Sequence, residues 1–219
     1  MPPGKTERRP GVGVGVAILA KAPLAGFAKT RLIPRLGAEG AAGLQRWLLQ
    51  RTVTTALSAG IGPVTLWCAP DTAHPDFALC RAFGPLALRR QPDGDLGERM
   101  LAALAETITP AGTLVIGIDC PALTAALLRQ AANALAGHDA VVVPAEDGGY
   151  VLIGMRQAAP RVFDAVDWST GHVMAQTRAR LAEMDWRWQE FAPLWDVDRG
   201  EDLERLNAYF PASLDKASA

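Results

Sequence analysis

Cysteine is scarce in this sequence: Cys68, Cys80 and Cys120 are the whole complement, odd in number and without a C-x-x-C pair. That argues against a disulfide framework and a structural zinc site, and suits a reducing cytosol. Histidine is as sparse. His74, His138 and His172 are scattered, whereas a histidine metal site needs several convergent ligands, so each reads as a surface or packing residue. There is no G-x-S-x-G elbow and no H-E-x-x-H helix, which removes the usual serine hydrolase and zinc protease signatures. No segment approaches the ~20 apolar residues of a membrane span. Neither sign of charge dominates: 22 basic and 23 acidic side chains give a net charge of −1, so no overall field draws the chain to nucleic acid or to an anionic membrane. A phosphate ligand has to be held by a local cluster.

What is present is ordinary globular material, 49% hydrophobic and 21% charged over 219 residues, enough for one well-buried core. The expected organisation is a single domain over residues 11–210 with loose tails at 1–10 and 211–219. Lys5, Arg8 and Arg9 before the apolar run Val12 to Ala20 imitate an export signal. The run is short, interleaved with glycine, and flows into Lys21-Ala22-Pro23, which is how a first buried parallel strand reads; a cytoplasmic location is expected. Strands are expected at Gly13–Ala20, Val64–Ala69, Leu86–Arg90, Thr113–Ile118 and Ala140–Pro144, and helices near Ala38–Ala59, Leu96–Ile108 and Leu123–Ala136. Such alternation implies an α/β fold with a mainly parallel sheet flanked by helices and ligands beyond the carboxyl ends of the strands. After Pro144 the turn Glu146-Asp147-Gly148-Gly149 and the run Tyr150–Met155 suggest an antiparallel excursion. A helix at Thr170–Met184, a strand at Trp186–Phe191 and a helix at Gly200–Tyr209 would close the domain.

Two nucleotide motifs fail. Gly11, Gly13 and Gly15 lie before or inside the first strand and lack the third glycine of G-x-G-x-x-G, and Ala28 stands where a P-loop needs glycine before Lys29. The chemistry lies in other segments. Lys21 to Leu32 follows the first strand with three cations, Lys21, Lys29 and Arg31, and the flexible Gly26; free backbone N–H groups and cations there suit di- or triphosphate oxygens. Asp119 ends the fourth strand, placed either to bind a hard cation or to cap the next helix. Asp196 and Asp198 point the same way if their segment is extended; they either complete a metal site or cap the last helix. Asp147 reads equally as a general base or contact to sugar hydroxyls and as part of a plain hairpin turn. Asp95, and the hydroxyls of Ser169 and Thr170, precede helices and fit capping as well as binding.

Taken together in this order, K-x-P-x-x-G-x-x-K-T-R-L at Lys21 to Leu32, D-L-G-x-R at Asp95 to Arg99, D-C-P at Asp119 to Pro121, E-D-G-G-Y at Glu146 to Tyr150, W-S-T at Trp168 to Thr170 and D-V-D at Asp196 to Asp198 resemble a bacterial family of glycosyltransferase-like proteins with the nucleotide-diphospho-sugar transferase fold, also called GT-A and Rossmann-like. The first loop is also similar to that of 2-phospholactate guanylyltransferases, and Asp119 to the metal aspartate of molybdopterin guanylyltransferases. One departure stands out: Arg199-Gly200 replaces the family's Thr-Pro after D-V-D. The resemblance implies a transferase dependent on Mg²⁺ or Mn²⁺ that uses a nucleotide-activated donor, most simply glycosyl transfer from a nucleotide sugar to a small-molecule acceptor. The alternatives are nucleotidyl transfer from a nucleoside triphosphate and, from another class, a catalytically silent nucleotide-binding protein. The implied assignments are Lys21, Gly26, Lys29, Arg31, Asp95 and Gly97 for the nucleotide, Asp119 with Asp196 or Asp198 for the metal, Asp147 with Asp119 for catalysis, and Glu146, Gly148, Gly149, Ser169 and Thr170 for substrate.

Overall fold

The first strand forms where small and β-branched residues follow one another. In the computed structural model, which describes residues 13–210, β1 spans Gly15–Lys21 and sends Val16, Ile18 and Ala20 into one apolar cluster and Ala17 and Leu19 into another. A strand apolar on both faces belongs to a sheet covered on both sides. The other strands are β2 (Val64–Ala69), β3 (Ala87–Arg90), β4 (Thr113–Ile116), β5 (Ala140–Pro144), β6 (Tyr150–Met155) and β7 (Trp188–Glu190). They form one seven-stranded sheet in the order β3-β2-β1-β4-β6-β5-β7. Every neighbouring pair is parallel except those of β6, which runs antiparallel to β4 and β5. The excursion expected after Pro144 is therefore present. It is turned by Ala145 to Gly149, where the Gly148 N–H donates to the Ala145 carbonyl at 3.2 Å and Gly148 adopts φ 92°, a conformation open to glycine.

The helices are α1 (Ile33–Ala59), α2 (Pro75–Leu79), α3 (Leu96–Thr107), α4 (Ala125–Leu135), α5 (Val173–Glu183) and α6 (Asp202–Tyr209). Leu49 and Val53 of α1 and Leu128 and Leu135 of α4 pack on one face of the sheet. Met100 and Leu104 of α3 and Met174 and Leu181 of α5 pack on the other. A third, smaller cluster joins Leu32, Leu44 and Leu48 to Trp195, Val197, Leu203 and Leu206, so α6 and the segment before it are anchored against the start of α1.

The expected elements hold within a few residues at their ends, with two differences. α1 begins at Ile33 rather than Ala38, yet Gly37 at φ 70° interrupts it, so its regular part starts where the apolar periodicity does. α2 was not expected; five residues carry too little periodicity to read. It is held by Pro75 at its first position and by His74, whose Nδ1 accepts the Asp76 N–H at 3.3 Å. The expected tails at 1–10 and 211–219 lie outside the described residues. Among those described, no helix is long and apolar enough to cross a membrane. All three cysteines are free and buried, and burial pushes Cys80 up to about 11 and Cys68 and Cys120 up to about 12.

One feature of the sheet places the site. From β1 the chain builds outward through β2 and β3, then returns to lay β4 on the other side of β1. The loops after β1 and β4 therefore diverge, which opens a crevice at the carboxyl ends of these two strands.

Candidate functional site

A cleft of about 940 Å³ fills that crevice, within the usual range of small-molecule sites. Its first wall is the loop after β1. Lys21 lines it at the strand's exposed end, with its carbonyl held by Gln45 Nε2 at 3.1 Å. Gly26 reverses the loop at φ 83°, and a Cβ there would meet nothing within 4 Å. The glycine serves the turn and does not itself line the cleft. Lys29 adopts φ 48°, a conformation a non-glycine residue holds at a cost. The consequence is an inward side chain, 5% exposed, whose Nζ lies 2.6 Å from Asp119 Oδ1 and donates to the Val197 carbonyl. Lys29 was expected as a free point charge for phosphate; in this state it is the counterion of Asp119. Arg31 is exposed and paired with Asp198.

The second wall follows β4. Asp119 has a half-exposed carboxylate, and it caps no helix: α4 begins six residues on with Thr124 as its cap, accepting the Leu127 N–H at 3.1 Å. The Asp119 carbonyl accepts the Val197 N–H at 2.8 Å, which brings the D-V-D segment alongside. There Trp195 and Val197 are buried and Asp196 and Asp198 are not, the alternation an extended segment imposes. Neither aspartate caps α6, whose start has no side-chain cap. Asp202 instead accepts the N–H groups of Asp198 and Arg199 at 2.9 and 2.6 Å. The two differ in what they face. Asp198 is neutralised by Arg31, whereas Asp196 is pushed up to about 6 by burial and then by the negative charges of Asp147 and Asp119, with Lys29 opposing. Three carboxylates from β4, the β5–β6 turn and the D-V-D segment thus share one electrostatic neighbourhood.

The third wall is the turn between β5 and β6 with the loop before α5. Glu146 lines the cleft but is gripped bidentately by Arg205, at 2.7 and 3.0 Å, which holds its carboxyl below the usual range. Arg205 also lies over the Trp195 ring, 4.7 Å from its centroid. Asp147 is exposed and accepts the Gly149 N–H at 2.9 Å through Oδ1. Gly149, Ser169 and Thr170 also line the cleft. The Thr170 hydroxyl is engaged locally, donating to the Asp167 carbonyl at 2.7 Å. Gly148 does not line the cleft; a Cβ there would sit 2.3 Å from the Gly171 carbonyl oxygen, so its lack of a side chain serves packing.

Two nucleotide-binding expectations are corrected at α3. Asp95 and Gly97 do not line the cleft. Asp95 accepts the Glu98 N–H at 2.9 Å while Glu98 accepts the Asp95 N–H at 2.8 Å, a reciprocal capping box that gives the carboxylate a local duty. Gly97 lets Trp168 approach, since a Cβ would lie 2.6 Å from the indole. The residues of that segment that do line the cleft are Leu96 and Arg99, of which Arg99 carries a charge. Nothing in D-L-G-x-R says which member points inward; the signal the sequence offers is the position of Arg99 in the first turn of a helix, beside Met100, which is buried.

Residues 52–170 match the model of a family described as uncharacterized protein conserved in bacteria (DUF2064), more than half of the chain, and the chain belongs to that family. Among solved structures it is similar to a protein of Desulfovibrio desulfuricans G20 provisionally named a nucleotide-diphospho-sugar transferase, with 26% identity, 94% of each chain covered and a TM-score of 0.81. The sheet therefore has the nucleotide-diphospho-sugar transferase fold expected from the motifs. More distant structures share that fold: a nucleotidyl transferase from Methanothermobacter thermautotroptrophicus (14% identity, 91% of this chain and 99% of that one, TM-score 0.59) and Rv0371C of Mycobacterium tuberculosis H37Rv in complex with manganese (20% identity, 90% and 98%, TM-score 0.51). No curated protein matches the chain.

Proposed function

We propose that this DUF2064 protein is a metal-dependent transferase acting on a nucleotide-activated donor, and that it moves a glycosyl group from a nucleotide-diphospho-sugar to a small-molecule acceptor. The observation that carries the reading is the meeting of Asp119, Asp147 and Asp196 with the cationic loop after β1 in one cleft. Cations suit the donor's diphosphate, and clustered carboxylates suit a divalent ion.

The donor set fits Mg²⁺ or Mn²⁺. Asp119 and Asp196 offer hard oxygen ligands, and the like charges that raise Asp196 are what a dication relieves. Among the described residues no three histidine, cysteine or acidic side chains already stand at metal-ligand spacing, so phosphate oxygens and water complete the shell, as is usual for Mg²⁺. Asp198, paired with Arg31 in the metal-free state, joins the set only if Arg31 turns to the phosphates. When bound, the metal neutralises charge on the departing nucleoside diphosphate. Lys21 and Arg31 would hold the phosphates, and Lys29 would join them if Asp119 served as a metal ligand. Asp147 accepts the proton of the attacking hydroxyl, while Glu146, Gly149, Ser169 and Thr170 position sugar and acceptor. The manganese complex of Rv0371C supports a metal in this fold.

A second reading is nucleotidyl transfer, favoured by the likeness to the Methanothermobacter nucleotidyl transferase. The same cations then neutralise leaving pyrophosphate while an acceptor phosphate attacks the α-phosphorus, and Asp147 has no proton to take. Thermal unfolding with Mn²⁺ or Mg²⁺, alone and with nucleoside triphosphates or UDP-, GDP- and dTDP-sugars, separates the two. A ligand at ~100 times its dissociation constant adds about 2.7 kcal/mol. A metal-dependent rise with one nucleotide sugar supports glycosyl transfer, a rise confined to a triphosphate supports nucleotidyl transfer, and no rise with any nucleotide overturns both in favour of a protein with another role.

A further inference from the structure

The α3 side of the cleft holds a cation that neither reading employs. Arg99 lines the cleft beside Gln91, Met100 and Trp168. Its Nε is buried and has no hydrogen-bond acceptor. A buried guanidinium N–H without an acceptor carries a desolvation penalty. Local forces do not favour the placement either. Arg99 stands in the first turn of a twelve-residue helix, where the helix dipole disfavours a cation. Among the described residues no acid is ion-paired with it: Glu98 bonds the Asp95 N–H, and Glu146, Asp119 and Asp198 meet Arg205, Lys29 and Arg31. A buried N–H with no internal partner at the wall of a cleft is a donor held for a ligand.

We propose that Arg99 receives an oxyanion carried by the acceptor, a carboxylate or a phosphate monoester, so that the acceptor is a small acid and not a neutral sugar or alcohol. The guanidinium fork matches both groups bidentately. The assignment to the acceptor rests on the proposed function, which gives the donor's phosphates to Lys21, Lys29 and Arg31 of the loop after β1. Trp168, packed on Gly97 and lining the same side, offers an apolar surface for the body of the acid.

The test uses the full chain and its Arg99→Gln and Arg99→Lys variants. Phenyl phosphate, benzoate and the neutral control benzyl alcohol are titrated by thermal shift, and Mn²⁺ with the nucleotide found in the screen above is titrated separately. The expected result is that the wild type binds at least one anion and not the alcohol. Arg99→Gln weakens that anion about tenfold or more and leaves the nucleotide with Mn²⁺ within about twofold; Arg99→Lys falls between. Undiminished anion binding by Arg99→Gln, or no anion binding by the wild type, overturns the proposal. Equal weakening of the nucleotide also overturns it, because the oxyanion is then the donor's. If Arg99→Gln fails to fold, Arg99→Lys, which keeps the charge, decides by the same comparison. Anion binding through Arg99 in a chain that binds no nucleotide would sink the transferase reading and leave the anion site standing.

Discussion

Asp95 and Asp119 are alike in sequence, each following the carboxyl end of a parallel strand and preceding a helix, and they end with opposite duties. Asp95 meets the free N–H groups at the start of α3 and is absorbed by a capping box. Asp119 has no such N–H groups to meet, because α4 begins later and Thr124 caps it, so its carboxylate reaches Lys29 and the cleft. A strand-end aspartate becomes available to a ligand only where another residue relieves it of the local backbone. The same contrast separates Asp198, paired with Arg31, from Asp196, which faces other acids.

The largest expected effect tests that contrast directly. Asp119→Asn should lower metal-dependent nucleotide binding or turnover by about 100-fold or more, whereas Asp95→Ala should leave it within about twofold and cost about 1 kcal/mol of stability through the lost cap. Comparable losses in both variants, read by Mn²⁺-dependent thermal shift, would erase the distinction.

Lys29→Met probes the pair from its other side. It leaves Asp119 without its counterion and should lower the metal-free melting temperature by about 5 °C, corresponding to about 2 kcal/mol. Mn²⁺ should restore much of that, because the metal takes the place of the lost charge. A melting temperature unchanged with and without Mn²⁺ would show that the pair does not couple loop and metal.

At α3, Gly97→Ala drives a methyl group to within 2.6 Å of Trp168 and should destabilise by about 1–3 kcal/mol, seen as a lower urea midpoint. Any nucleotide effect should follow the displaced Trp168 loop, and restoration by a smaller residue at 168 would mark Gly97 as a packing position.

The smallest effect is at Asp196. Its folded-state pKa, about 6, exceeds the ordinary 3.8, so the folded chain binds a proton that the unfolded chain has released. Stability therefore falls as pH rises from about 4 to 6 and stays lower above that window. Asp196→Asn removes the effect and should stabilise the metal-free protein by about 1 kcal/mol at pH 7.5 and by less at pH 4.5, allowing for solvent screening. The same variant should respond less to Mn²⁺. A pH-independent difference would remove the mutual repulsion of the three carboxylates from the account.

Much of the architecture was legible in the chain because buried parallel strands and amphipathic helices write their periods into it: Val64–Ala69 and Ala140–Pro144 were placed to the residue. The turn at Gly148 was legible from its Asp-Gly-Gly chemistry. α2 was not, being shorter than its own period can declare. In the site, the segments were legible and the individual duties were not. Asp95, Gly97 and Gly148 sit among the right motifs yet serve a cap, an indole and a loop crossing, while Arg99, in the same motif, faces the cleft.

The sequence by itself determined which stretches become strands and helices, the single antiparallel turn, and the fact that acids and cations lie at the carboxyl ends of strands. These depend on period, turn chemistry and residue type, all local. Only the tertiary structure decided that Lys29 reaches Asp119, and Val197 across 168 residues of chain, that Asp196 rather than Asp198 joins the acidic trio, and which carboxylates are already paired. Those outcomes depend on which partner arrives first within hydrogen-bond distance of each charge, and that is set by how the loops cross the sheet.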